Sequence, residues 1–167
     1  MFKSKFTAIT CFCCSMLCVP WAQAYDDEPE KTLCGASEQI YFSCPFSDEK
    51  IVSICASGNT SPSTGYVQYR YGTPDNIEMI FPQEKIPPRK KLFIVNASEG
   101  SVSKDIIKFK NGSYTYLVSQ MSMSNLTVLK NGKVILRKFC DEGGNKVVSR
   151  EARQGIAKVP KSDEDFK

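Results

Sequence analysis

The chain predicts an antiparallel all-β fold, a single β-sandwich or small barrel of about eight or nine short strands, ending in a disordered or short-helical C-terminal tail. Three observations carry the prediction. From Ile40 onward apolar residues alternate in short runs, turn-forming residues recur between the runs, and Asn-Gly stands twice between strand-like segments. The chain divides into a cleaved signal over residues 1–24, a flexible mature N-terminus over 25–33, a disulfide-stapled β domain over 34–141 and a polar tail over 142–167.

The elements follow in order. Residues 40–46 and 51–55 form a first hairpin around Ser47-Asp48-Glu49-Lys50, and residues 66–71 pair with 77–81 across Gly72-Thr73-Pro74-Asp75-Asn76. Both hairpins are rich in the β-branched and aromatic residues that fit a pleated surface. Pro82, Pro87 and Pro88 exclude a central strand between them and Phe93-Ile94-Val95, which adds a ninth strand. Residues 106–109 return as 114–118 through Asn111-Gly112, and residues 126–129 return as 134–139 through Asn131-Gly132. Asn and Gly tolerate the positive φ of a type I′ turn. Residues 142–167 are polar, with a short helix expected within 149–158 or no fixed structure at all.

Residues 1–24 have the order of an export signal. Lys3 and Lys5 precede an uncharged stretch over residues 7–19, and Ala22-Gln23-Ala24 supplies a small-x-small cleavage site. The stretch is shorter than the roughly 20 residues a spanning helix needs, so no stable membrane anchor is expected. Cys11, Cys13, Cys14 and Cys18 are not preceded by the small residue of a lipoprotein cleavage box. The expected location is therefore periplasmic or secreted, in a bacterium, after cleavage near Ala24. Loss of Lys3 and Lys5 lowers the formal charge from +4 to +2, too balanced for nucleic-acid binding.

Four cysteines remain: Cys34, Cys44, Cys55 and Cys140. An even number in an oxidising compartment implies two disulfides. A four-residue loop over 48–51 would set Cys44 opposite Cys55, and a two-residue loop at Asp48-Glu49 would offset them by two positions on one face. Either register pairs Cys44 with Cys55 and leaves Cys34 for Cys140. Metal binding is not expected, because the spacings of 10, 11 and 85 contain no Cys-x-x-Cys and the chain has no histidine.

The missing histidine also removes Ser-His-Asp and Cys-His catalysis. The carboxylates fall mainly in turns and tails. Tyr69 and Tyr71 share a face with Val67 and are assigned to packing, as are Tyr114 and Tyr116. Tyr66, Gln68 and Arg70 point the other way and form one candidate binding face. Arg89, Lys90 and Lys91, after Pro87-Pro88, form a second, suited to an acidic partner or anionic headgroups. Asn59, Asn96, Asn111 and Asn125 each open an Asn-x-Ser/Thr triplet.

The segments Ile40-Tyr41-Phe42-Ser43-Cys44, Lys50-Ile51-Val52-Ser53-Ile54-Cys55 and Tyr66-Val67-Gln68-Tyr69-Arg70-Tyr71-Gly72 resemble a family of small exported bacterial proteins with a cysteine hairpin followed by a Tyr-Arg-aromatic-Gly strand. The resemblance covers roughly residues 34–82. It implies a bacterial periplasmic setting and a Cys44–Cys55 hairpin, and supplies no mechanism. The function expected is non-enzymatic binding of another protein in the envelope or outside the cell, as an inhibitor or immunity factor against an envelope-active hydrolase or toxin. A second reading is a carbohydrate-binding or envelope-structural module that engages cell-wall glycan, and a third is a two-carboxylate glycan hydrolase. No cofactor is expected.

Overall fold

The computed structural model describes residues 30–167; the export signal read from residues 1–24, with its four cysteines, and residues 25–29 lie outside the described residues. Strands β1 (Gln39–Pro45), β2 (Ile51–Ala56), β3 (Val67–Thr73) and β4 (Asn76–Phe81) form one antiparallel sheet in chain order. A second sheet takes β5 (Phe93–Asn96), β6 (Asp105–Asn111), β7 (Tyr114–Gln120), β8 (Asn125–Lys130) and β9 (Lys133–Phe139), again in order. Its far edge is β10 (Ala157–Lys158), parallel to β5.

The two inner faces share one core. Phe42, Ile54 and Tyr69 from the first sheet meet Ile107, Phe109, Val118 and Leu126 from the second. The Tyr69 ring lies 4.9 Å from Phe109 and 5.7 Å from Tyr116, while Phe81 stacks on Phe109 at 4.4 Å. Offset and tilted ring contacts of this kind add to the burial of the rings themselves. The all-β sandwich is thus present, with ten strands among the described residues. The tenth, β10, is only two residues long, too short for alternation to announce it.

Turn geometry sets the registers. In the first hairpin Pro45 pairs with Ile51, and Phe46 N–H donates to Lys50 O at 2.8 Å, leaving a three-residue loop of Ser47, Asp48 and Glu49. Glu49 has φ of 65°, the left-handed residue expected of such a loop. Neither the four-residue nor the two-residue loop forms. The odd loop length places Cys44 opposite Val52, and a one-residue slip in a strand exchanges its faces. Cys44 therefore points into the core and Cys55 away from it.

The disulfide pairing is accordingly different from the expected one. Cys34 joins Cys55, and Cys44 joins Cys140, with Cα separations of 5.3 and 5.2 Å. The Cys44–Cys55 hairpin bridge implied by the resemblance does not form. Cys44–Cys140 instead ties β1 of the first sheet to the residue after β9 of the second. Cys34–Cys55 fastens the N-terminal segment to the outer face of the first sheet.

Two other turns separate sequence pattern from geometry. Thr73 pairs with Asn76, so the β3–β4 turn contains only Pro74 and Asp75, and a bulge whose extra residue is Glu78 of β4 stands opposite Gly72. A Cβ there would lie 2.3 Å from Asn76 O, which excludes any other residue without a shift of the backbone. Asn131-Gly132 has positive φ at both residues, as a type I′ turn requires. Asn111, however, pairs with Tyr114, and the β6–β7 turn is Gly112-Ser113 with positive φ at Gly112 alone, the type II′ pattern.

The tail takes the short-helical form. Ser149 caps helix α1 (Arg150–Gly155) by accepting from Ala152 N–H at 3.0 Å, and a 3-10 helix follows at Asp163–Phe166. Gly155 allows the helix to meet β1 closely, since a Cβ would lie 2.6 Å from the Tyr41 hydroxyl. Beyond α1, Val159 packs on an apolar patch formed by Val95, Ala97, Ile106, Leu117 and Leu129 on the outer face of the second sheet. That sheet is buried on both faces, which explains why β8 carries no alternation of exposure until Lys130.

Candidate functional site

Tyr66, Gln68 and Arg70 do share the outer face of the first sheet, but residues 31–38 lie over it. Arg70 Nη1 donates to Glu38 Oε2 at 2.6 Å and to Leu33 O at 3.0 Å, and its Nη2 donates to Glu38 Oε1 at 2.7 Å and to Gln68 Oε1 at 2.9 Å. Tyr66 Oη donates to Glu38 Oε1, and Gln68 Nε2 donates to the carbonyls of Pro82 and Gln83. These groups are spent on the protein itself. Burial pushes the Glu38 carboxyl up, but the hydrogen bonds from Arg70, Tyr66 and Gly35 and the Arg70 charge outweigh it and hold the group at about 2. What reads as a mixed binding face in sequence is a buried polar network that fixes the N-terminal segment.

The Arg89, Lys90 and Lys91 candidate stands differently. Pro88 and Leu92 are buried and anchor the loop, with Lys91 N–H and Leu92 N–H both donating to Pro88 O. The three cationic side chains between these anchors are exposed, and Lys90 takes a φ of 63° to make the turn. None of the three makes an ion pair among the described residues.

Lys90 and Lys91 border a cleft of about 530 Å³. Its origin lies in strand length: β5 pairs with β6 only as far as Phe93 opposite Lys108, so Phe109, Lys110 and Asn111 have no strand beside them on that side. Phe81, Phe93 and Phe109 line the vacated space, with Lys108 and Lys110 from β6 and Val159 and Pro160 from the tail. Four lysines thus surround an aromatic lining, and no carboxylate is among the described residues that line it. Lys91 and Asn111 also border an adjoining hollow of about 340 Å³, which Glu84 reaches.

Two of the four lysines are already engaged. Lys108 Nζ donates to both oxygens of Asp165, at 2.8 and 2.9 Å, and Lys110 lies 3.2 Å from Glu164. Lys104, just before β6, donates to Asp165 O at 2.6 Å. The acidic end of the chain therefore lies along a row of lysines. Lys90 and Lys91 supply the uncompensated charge.

Sequence reading located Lys90 and Lys91 but not Lys108, Lys110 or the phenylalanines. The available signal was the alternation Ile106, Lys108, Lys110, which puts both lysines on one side of a strand. That the strand would outrun its neighbour is a tertiary fact.

The buried carboxylates of the described residues are all paired. Glu38 binds Arg70, Asp105 accepts from Arg153 Nη2 at 2.6 Å, and Asp165 accepts from Lys108. Cys34, Glu38 and Cys55 lie close together, but both sulfurs are in a disulfide and offer no thiolate to a metal. Of the Asn-x-Ser/Thr positions, Asn59 is buried between the Tyr41 hydroxyl and Gly155 O, and Asn125 is buried as well. No helix of the described residues is long and apolar enough to cross a membrane. Two disulfides indicate a non-reducing, extracellular-type environment. Compared with protein-family models, with curated proteins and with solved structures, the chain finds no match.

Proposed function

We propose that the protein is an exported, disulfide-stapled binding domain rather than an enzyme, and that it captures an acidic segment of a partner protein in the lysine-rimmed cleft. One observation carries the reading: of the four lysines around a phenylalanine-lined cleft, Lys108 and Lys110 already hold the carboxylates of Asp165 and Glu164, while Lys90 and Lys91 keep their charge uncompensated. Like charges focused on a partly apolar concavity raise the local concentration of anions and strengthen each contact relative to bulk water. The molecule also contains an example of the ligand class, since Glu164 and Asp165 satisfy Lys110 and Lys108. An envelope-active hydrolase or toxin that presents such an acidic segment fits this description, with the exposed 89–91 loop at the rim that receives it. The protein then acts as an inhibitor or immunity factor.

Calorimetric titration of the intact protein with a poly-glutamate peptide tests the reading. The expected result is binding that weakens as salt rises and falls about tenfold or more when Lys90→Glu and Lys91→Glu are combined. Equal affinity for poly-lysine, or no response to the double reversal, would overturn it. Retention on peptidoglycan without affinity for the acidic peptide would favour a glycan-binding module instead.

A further inference from the structure

We infer that the groove between the two sheets, walled off from the lysine cleft by the Phe109–Tyr116 stack, binds a small single-ring aromatic acid whose ring carries a hydroxyl opposite its carboxylate. The stacked rings lie 4.7 Å apart, with Phe109 lining the cleft and Tyr116 lining the groove. Strand pairing builds the groove. Tyr71 stands opposite Met79 across β3 and β4, Tyr116 opposite Val128 across β7 and β8, and Val128 opposite Leu136 across β8 and β9. Directly opposed residues share a face, so these side chains turn inward from both sheets and line the space between them.

One tyrosine hydroxyl in the groove has no partner. Tyr69 is 1 % exposed, yet its Oη makes no hydrogen bond among the described residues, whereas Tyr71 Oη accepts from Lys138 Nζ at 3.0 Å. No side-chain oxygen or nitrogen of the described residues is both sealed from solvent and unpaired, so the small exposed part of Tyr69 includes this oxygen, and it opens on the groove. Burial pushes the Tyr69 hydroxyl well above its ordinary pKa, and the neighbouring Tyr116 and Tyr71 hydroxyls add to the effect. It therefore keeps its proton and can both donate and accept. A buried group of this kind is costly without a partner, and the occupant of the groove supplies one.

Size and charge select the ligand. The groove holds about 230 Å³, more than the roughly 150 Å³ that admits benzene and less than the roughly 300–1,000 Å³ of drug-sized sites, which fits one substituted ring. An acyl chain would pack against Leu126, Val128 and Leu136 but leave Tyr69 Oη unmatched. A sugar would match the hydroxyl but set its other polar groups against those same side chains. A phenolic ring satisfies both. At the mouth, Lys130 Nζ stands 5.3 Å from the centre of the Tyr114 ring. Lys130 and Lys133 are directly opposed across Asn131-Gly132, both exposed and neither in an ion pair among the described residues. Like charges so placed repel each other, and a carboxylate on the outer end of the ring relieves the repulsion.

Calorimetric titration of the intact protein with para-hydroxybenzoate tests the inference, with benzoate, para-cresol and octanoate as comparisons. Saturable binding with a dissociation constant below about 1 mM is expected. Benzoate, which lacks the hydroxyl, and para-cresol, which lacks the carboxylate, should each bind about tenfold more weakly, and octanoate more weakly still. Tyr69→Phe keeps the ring and removes an oxygen that holds nothing in the fold, so it should bind para-hydroxybenzoate no better than the wild type binds benzoate. The wild-type contrast between those two ligands carries the same test without a substitution. Lys130→Glu should weaken para-hydroxybenzoate about tenfold and leave para-cresol unchanged, and Lys90→Glu with Lys91→Glu should change neither. Absence of saturable binding, octanoate or benzoate binding as tightly as para-hydroxybenzoate, or full affinity in Tyr69→Phe would overturn the inference. So would binding lost only in the Lys90/Lys91 variant, which would assign the acid to the cleft.

Discussion

The outer faces of the two sheets are each covered by an end of the described chain, but by different physics. Over the first sheet, residues 31–38 lie on a polar surface and are held by the Cys34–Cys55 bridge, by the Arg70–Glu38 pair and by Ser53 Oγ, which accepts from Leu33 N–H. Over the second sheet, residues 157–166 cover an apolar patch with Val159 and are held at the end by Lys104 and Lys108 on Asp165. The apolar patch drives its own burial, whereas the polar face with Arg70 is stable under cover only if every donor is matched. The covalent bond is placed where burial alone gives least.

The largest effect expected from disturbing this contrast is at Arg70. Arg70→Met leaves the Glu38 carboxylate buried without its partner and should cost about 3–5 kcal/mol in urea denaturation. Replacing both partners with apolar residues of similar size should restore much of that loss, because no orphan charge remains. Next comes the bridge: Cys34→Ser with Cys55→Ser removes a constraint spanning 21 residues, worth about 3 kcal/mol by loop-closure entropy.

Acid sharpens the same comparison. The Glu38 carboxyl is depressed from 4.5 to about 2 in the folded protein, so its contribution is complete above pH 4.5 and is lost as pH falls towards 2. A urea midpoint that declines through that window in the wild type, and declines less in Glu38→Gln, is the expected result. The smallest effect lies at the other end of the chain. Asp165→Asn should cost about 1–3 kcal/mol by stripping Lys108 of its charged partner. It should also speed amide exchange in residues 157–166 while leaving residues 31–38 unchanged.

Sequence reading reached the fold because alternation and turn residues are local. Nine of the strands lie where period-two runs lie, and Asn131-Gly132 makes its expected turn. Failures came where a single residue of offset decides the outcome. At Asn111-Gly112 the strand continues through Asn111, moving the turn one position and changing its type. In the first hairpin an odd loop, with Glu49 in the left-handed conformation, turned Cys44 inward and Cys55 outward. The disulfide pairing then followed the faces rather than sequence proximity. The Tyr66, Gln68 and Arg70 face was correctly oriented, yet alternation carries no information about what lies on top of a strand. Lys90 and Lys91 were legible as an exposed basic loop; their union with Lys108, Lys110 and Phe109 required knowing that β5 stops short of β6.

Disulfide mapping of the intact protein by non-reducing proteolysis and mass spectrometry tests the arrangement most directly. Linked peptides containing Cys34 with Cys55 and Cys44 with Cys140 are predicted; they fix the N-terminal segment over Arg70 and leave the lysine-rimmed cleft as the open site. A linked Cys44–Cys55 peptide would contradict the account, because it would release that segment and uncover the Tyr66, Gln68 and Arg70 face.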